Sequence, residues 1–155
     1  MNAIGGIGMK PKFRVWDTYE EEMCNDIFFA WQDCGYESLN ECLSDDRFVF
    51  LQSTGMFDQE CIEIYEGDIV HLTVFVDVGY DGYEEGELTH HNVPIVYREK
   101  YPEDNGNQPK EWGFLIKDEF INFAHYHPVD DESFEIVGNI YENPELLEDD
   151  NHASN

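Results

Sequence analysis

Short stretches in which apolar and polar residues alternate, each closed by turn residues, run through most of this chain and predict strands. Phe13-Arg14-Val15-Trp16 alternates and stops at Asp17-Thr18, and residues 26–31 form a second short run rich in aromatics. Residues 47–52 read as a buried strand, Ser53-Thr54-Gly55 as a turn, and Ile62-Glu63-Ile64-Tyr65 as a strand stopped at Glu66-Gly67-Asp68. The longest strand signal spans residues 69–78. There Val70, Leu72, Val74, Val76 and Val78 share one face, which is core, and Ile69, His71, Thr73, Phe75 and Asp77 share the other. A Gly-rich acidic loop at 77–87 separates this strand from residues 88–98, which return as its partner in a long hairpin. Beyond a polar loop at 102–110, strands are expected at 112–116 and 134–141, with further apolar residues between 120 and 126.

Helical signals are few. Ser38 with Glu41 three residues on is a capping-box pattern, and Leu39 and Leu43 sit one turn apart, so a short helix is expected within 36–43. Asn143-Pro144-Glu145-Leu146-Leu147 offers an N-cap, a proline at the first helical position and one helical turn. The fold class is therefore expected to be mainly β with a minor α component. One domain covers residues 9–147, preceded by a flexible Gly-rich extension at 1–8 and followed by a flexible acidic tail at 148–155. The Gly-Gly-Ile-Gly near the start is not a phosphate loop, because no strand precedes it and no helix follows.

Charge changes this picture more than composition does. The 155 residues carry 35 Asp plus Glu against 8 Lys plus Arg, a formal net charge of -27. With 41% hydrophobic and 15% aromatic residues, the chain is too apolar to be a disordered acidic tail. So few cations argue against direct nucleic-acid binding, whose affinity comes from Lys and Arg displacing counterions. A basic partner is the natural complement, and the plainer alternative is a solvated surface with no role beyond solubility. Cys24, Cys34, Cys42 and Cys61 include no Cys-x-x-Cys, so buried free thiols are expected rather than a zinc or redox site. No apolar run approaches the roughly 20 residues needed to span a bilayer, and a soluble, cytoplasmic protein with reduced thiols is expected.

Three segments resemble a known family in order and almost end to end. They are Met9-Lys10-Pro11-Lys12-Phe13-Arg14-Val15-Trp16-Asp17, the stretch from Phe50-Leu51-Gln52-Ser53-Thr54-Gly55 through Glu63-Ile64-Tyr65-Glu66-Gly67-Asp68-Ile69-Val70, and Glu135-Ile136-Val137-Gly138-Asn139-Ile140-Tyr141-Glu142-Asn143-Pro144-Glu145-Leu146-Leu147. The family is the YopX-like group of phage and prophage proteins. The resemblance implies a mostly β fold with a small SH3-like barrel, and it implies self-association, but it supplies no activity and no catalytic residues. In physical terms Gly67 and Gly138 read as tight-turn positions, Ile64, Tyr65, Ile69 and Val70 as core, and Asn143 as a helix cap. The chain departs from the family in the acidity of 77–87 and 130–150 and in the cysteine-bearing segment 23–42.

Candidate chemistry is sparse. His125 and His127 flank Tyr126, and His90-His91 lies in another predicted strand, so either pair with nearby carboxylates has the makings of a divalent-metal site. Histidines that merely decorate a surface are commoner, and no metal or cofactor is expected. The loop with Asp77, Asp81, Glu84, Glu85 and Glu87 lacks the alternation and closing glutamate of a calcium-binding loop. No nucleophile or phosphate motif occurs, and no enzymatic activity is expected. The expected function is binding to a host protein with a basic, nucleic-acid-binding surface by acidic DNA mimicry, in its sharpest form inhibition of a defence nuclease of the anti-CRISPR or anti-restriction type. Its contacting carboxylates would be Asp77, Asp81, Glu84, Glu85 and Glu87, with Asp130, Asp131 and Glu132 as a second group. The alternative is a self-associating structural or scaffolding protein, a homo-oligomer with Trp16, Trp31, Phe57 and Trp112 between subunits.

Overall fold

A computed structural model describes residues 12–25, 35–76, 86–99, 110–123 and 131–148. The elements in chain order are β1 (Phe13–Asp17), β2 (Glu22–Cys24), helix α1 (Leu39–Ser44), β3 (Phe48–Phe57), β4 (Glu63–Tyr65), β5 (Asp68–Val76), β6 (Gly86–Glu99), β7 (Lys110–Ile116), β8 (Glu119–Asn122), a 3-10 turn (Asp131–Ser133) and β9 (Phe134–Asn139). They form a four-stranded sheet in the order β2-β1-β3-β4 and a five-stranded sheet in the order β8-β7-β6-β5-β9. All pairings are antiparallel. The curled sheets make a half-barrel, with α1 and a last helical turn at 145–148 as the only α-helical pieces among the described residues, the mainly β small-barrel architecture expected, and the β5–β6 hairpin is its longest element.

The alternation along β5 determines which face is buried. Val70, Leu72 and Val74 are almost wholly buried and join Ile64, Val93, Ile95, Phe114 and Phe134 in the main core, while His71 and Thr73 on the opposite face are half-exposed. Each such apolar side chain contributes about 1.5–3 kcal/mol on burial. A smaller cluster of Val15, Cys42 and Phe48 lies beneath α1, which buries Cys42 alone of its residues. The N-cap works as its sequence implied: the Ser38 hydroxyl accepts from the Glu41 amide at 3.1 Å, and Glu41 in return accepts from the Glu37 amide at 2.8 Å.

Several local expectations are corrected. Ser53-Thr54-Gly55 is not a turn but lies inside β3, where the register against β4 shifts between Ser53 and Phe57 and Gly55 has φ +79. The hydroxyls of Ser53 and Thr54 accept from the amides of Gly55 and Met56, each at 3.0 Å, so the bulge is stitched by its own side chains. Gly138 is no turn either. It sits in β9, where a Cβ would come within 2.5 Å of the Asn143 side-chain oxygen. Asn143 heads the last helical turn, but its side-chain oxygen accepts from the Asn139 amide at 3.2 Å rather than from the turn it precedes. Of the cysteines, Cys42 is a buried free thiol as expected, Cys24 is half-buried and Cys61 is exposed, and Cys34 lies outside the described residues. The expected strand at 26–31, residues 1–8, the apex of the 77–87 loop and the end of the tail lie outside the described residues.

Gly67 is the turn glycine that the fold requires. With φ +86 it reverses the chain between β4 and β5, donates to the Ile95 carbonyl and accepts from the Ile140 amide, both at 2.9 Å. A Cβ there would sit 3.2 Å from the Tyr141 ring in a backbone region unfavourable to L side chains. Gly67→Ala is expected to lower stability by about 1–2 kcal/mol, seen as a lower urea midpoint with unchanged slope.

Candidate functional site

Four buried polar residues shape the surface around the barrel, each by holding the loop that follows a strand. Asp17 at the end of β1 accepts from the amides of Tyr19 and Glu20, and its carboxylate takes both Arg47 Nε at 3.0 Å and Nη2 at 2.8 Å. Asp58 after β3 accepts from Glu60 and Ile62, each at 2.9 Å, and reaches the Ile136 amide of β9 at 3.3 Å. Asp68 accepts from the Tyr65 amide at 2.7 Å and from Arg14 of β1. Asn139 at the end of β9 accepts from Tyr141 at 3.0 Å and Glu142 at 2.8 Å. None of these roles asks for an acidic surface; they are local turn chemistry.

The same pairing consumes cations. Lys12 pairs with Glu63 at 3.4 Å, Arg14 with Asp68, Arg47 with Asp17 at 2.8 Å and Arg98 with Glu111 at 3.7 Å. Lys117 is exposed in the β7–β8 turn. Among the described residues, therefore, Arg14 and Arg47 are drawn into the fold and Lys12 and Arg98 pair at its surface, while many carboxylates stay outside. Glu20, Glu21 and Glu22 crowd the β1–β2 turn, and Thr18 beside them bonds the Arg47 carbonyl through its amide at 2.9 Å, which brings exposed Asp46 to the same end.

Among the described residues lies a concave site, a cleft of ≈ 240 Å³ on the outer face of the second sheet. It is built by register. Glu135 on β9 lies opposite His71 on β5, and the β5–β6 ladder slips between Val70 and Leu72, so that the His91-Asn92 pair opposes His71 alone. Asn92 takes a left-handed conformation at this bulge, φ +54. Thr73 and Thr89 form the next row, with their hydroxyls 2.9 Å apart. The His71 and His91 rings meet edge to face, centroids 4.7 Å apart. Glu132 and Ser133 of the 3-10 turn, Phe134, and Gln59 from the loop that Asp58 docks complete the lining.

The cleft is not arranged for a metal. The Asn92 amide donates to His71 Nδ1 at 3.3 Å. A neutral imidazole that accepts at Nδ1 carries its proton on Nε2, so that nitrogen is a donor and not a ligand. No group of three His, Cys, Asp or Glu side chains placed to hold a metal ion occurs among the described residues.

Of the carboxylates predicted from sequence, Glu132 lines this cleft and Asp131 opens the same 3-10 turn. Glu87 lies opposite Phe75, four residues further along β5 than His71 and so about 13 Å away. Asp77, Asp81, Glu84, Glu85 and Asp130 lie outside the described residues, as do His125 and His127. His91 enters the cleft, whereas its neighbour His90 opposes Leu72. His71, Thr73, Thr89 and Glu135 were not predicted as site residues. The alternation of β5 marked the outer position of the first two, but Glu135 joins them only through the pairing of β9.

These features define a small antiparallel β protein with a negative surface and a polar cleft. The chain belongs to the YopX protein family, whose pattern matches residues 12–148. It is also similar to protein EF1440 from Enterococcus faecalis, whose crystal structure superposes with a TM-score of 0.43 at 24% identity, covering 90% of this chain and 99% of that one. No curated protein matches. No helix among the described residues is long and apolar enough to cross a membrane.

The Asp17–Arg47 pair has a pH signature. Hydrogen bonds from Arg47, helped by the Tyr19 and Glu20 amides, hold the Asp17 carboxyl below its ordinary value against the opposing effect of burial. A depressed folded-state value adds stability above the unfolded carboxylate range, and that stability is lost as pH falls through the folded value. Asp17→Asn is expected to cost about 1–3 kcal/mol at neutral pH, with the gap to wild type closing in acid, as read by urea unfolding across pH.

Proposed function

We propose that this protein is a non-enzymatic binder that acts in a host cell on a protein with a basic, nucleic-acid-binding surface, with a defence nuclease as the sharpest form of that target. The observation that carries this reading is the sorting of charge. Lys12, Arg14, Arg47 and Arg98 are all engaged by carboxylates, while the acids of the β1–β2 turn and Glu132 of the 3-10 turn remain exposed on a chain of net charge -27. A stiff antiparallel scaffold that presents exposed carboxylates supplies what a Lys- and Arg-lined groove binds in duplex DNA, which carries about one charge per 1.7 Å. Such a field speeds encounter and suppresses acidic partners more than it adds affinity.

The test is capture of partners from host lysate on the immobilised full chain, at low and high salt, with and without duplex DNA. Enrichment of one basic nucleic-acid-binding protein, released by high salt and displaced by DNA, is the expected result. A partner held equally in high salt and with DNA present, or recovery of the chain itself as a defined oligomer and nothing else, would overturn mimicry.

A further inference from the structure

We infer that the cleft between β5, β6 and β9 seats a single arginine side chain presented by the basic partner, an inference that rests on the reading of the chain as a binder of basic proteins. Size is the first constraint. At ≈ 240 Å³ the cleft falls below the roughly 300–1,000 Å³ of small-molecule sites, which suits one long side chain better than a nucleotide or a cofactor.

The lining chemistry supplies the sign. Carboxylates arrive from two elements, Glu132 from the 3-10 turn and Glu135 from β9, and both are exposed. Glu135 belongs to no ion pair among the described residues. A planar guanidinium can meet two carboxylates with separate N–H groups, whereas a lysine ammonium is a single point. The Thr73 and Thr89 hydroxyls add neutral acceptors. An anion would face both glutamates, which excludes phosphate-like ligands.

The histidines make this seat responsive to pH. The titratable groups lining it are His71, His91, Glu132 and Glu135. An imidazolium at either histidine would compete with an arginine for the same carboxylates. It would also remove the acceptor that His71 Nδ1 offers to the Asn92 amide at the bulge. Arginine binding and histidine protonation are therefore antagonistic, and the linkage is reciprocal: the cation lowers the histidine titration, and acid weakens the cation.

The experiment titrates the full chain with N-acetyl-arginine amide while following the imidazole ring protons by NMR, with N-acetyl-alanine amide as the control and His91→Gln to assign the signals. The arginine compound alone is expected to shift both rings saturably, less strongly at about pH 5.5 than at about pH 7.5. Glu135→Gln is expected to weaken binding about fivefold or more, and Glu119→Gln, the same charge change on β8 at the opposite edge of the sheet, to leave it unchanged. No saturable shift, equal weakening by the two substitutions, or an affinity indifferent to pH would each overturn the arginine seat. A DNA-displaceable partner that Glu135→Gln still captures in full would overturn the seat alone. Saturable arginine binding without any DNA-displaceable partner would instead overturn the wider reading and keep the seat.

Discussion

The two sheets meet at one corner, and the contact that fixes it is the buried ion pair between Arg14 of β1 and Asp68 at the start of β5. Asp68 is 1% exposed and also accepts from the Tyr65 amide, so it closes the turn that contains Gly67 while anchoring a strand of the other sheet. Around that turn the Glu66 amide donates to Gln52 of β3, the Gly67 amide to Ile95 of β6, and the Ile140 amide to the Gly67 carbonyl. Arg14 lies over the Tyr65 ring at 4.8 Å, and on the same face of β1 Trp16 stacks on Tyr141 with centroids 5.6 Å apart. Burial pushes the Asp68 carboxyl above its ordinary value, against the pull of Arg14 and of the Tyr65 amide. Among the described residues Arg14 Nε has no hydrogen-bond partner. A pair with such a desolvation penalty is a poor source of net stability, which comes from the apolar core; its contribution is to specify how the sheets join.

That assignment of cations to interior tasks explains how a chain so acidic can fold around charged residues yet stay strongly negative outside. Arg47 does for β1 what Arg14 does for β5: it neutralises the aspartate that holds a turn, here with a two-pronged grip on Asp17. Asp58 manages the same task with backbone amides, by accepting from Glu60, Ile62 and Ile136. Self-repulsion of the exposed carboxylates works against compactness, and the buried aliphatic and aromatic cluster must outweigh it. The price of acidity is thus set against hydrophobic burial and not against surface ion pairs, which are worth little each.

What could be read from the sequence was what depends on neighbours along the chain. The period of β5 put Val70, Leu72 and Val74 inside and His71 and Thr73 outside, because alternation is a property of a single strand. The Ser38–Glu41 cap was legible for the same reason. Gly55 and Gly138 were misread as turns. At Gly55 the cause is a bulge against β4, and at Gly138 it is the close approach of Asn143, and neither partner is visible to a local pattern. The acidic loop drew attention by composition, yet the concave site is assembled by register. Glu135 reaches His71 only because β9 pairs with β5, and His91 only because β6 carries an extra residue at Asn92.

The bulge also accounts for the parity of β6. Leu72 lies opposite His90, whereas Val70 lies opposite Val93, so one inserted residue returns Val93 and Ile95 to the core after His91 has been turned outward. Without it, either the core residues or the histidine would sit on the wrong face. The left-handed Asn92 that permits the insertion is held by the same His71 nitrogen that faces the cleft. Core packing and cleft chemistry therefore share one hydrogen bond, and any change in the charge of His71 is felt on both sides of the sheet. A diffuse negative field needs no such arrangement. The coupling of an outward histidine pair to an inward-facing ladder is what separates this cleft from the rest of an acidic surface.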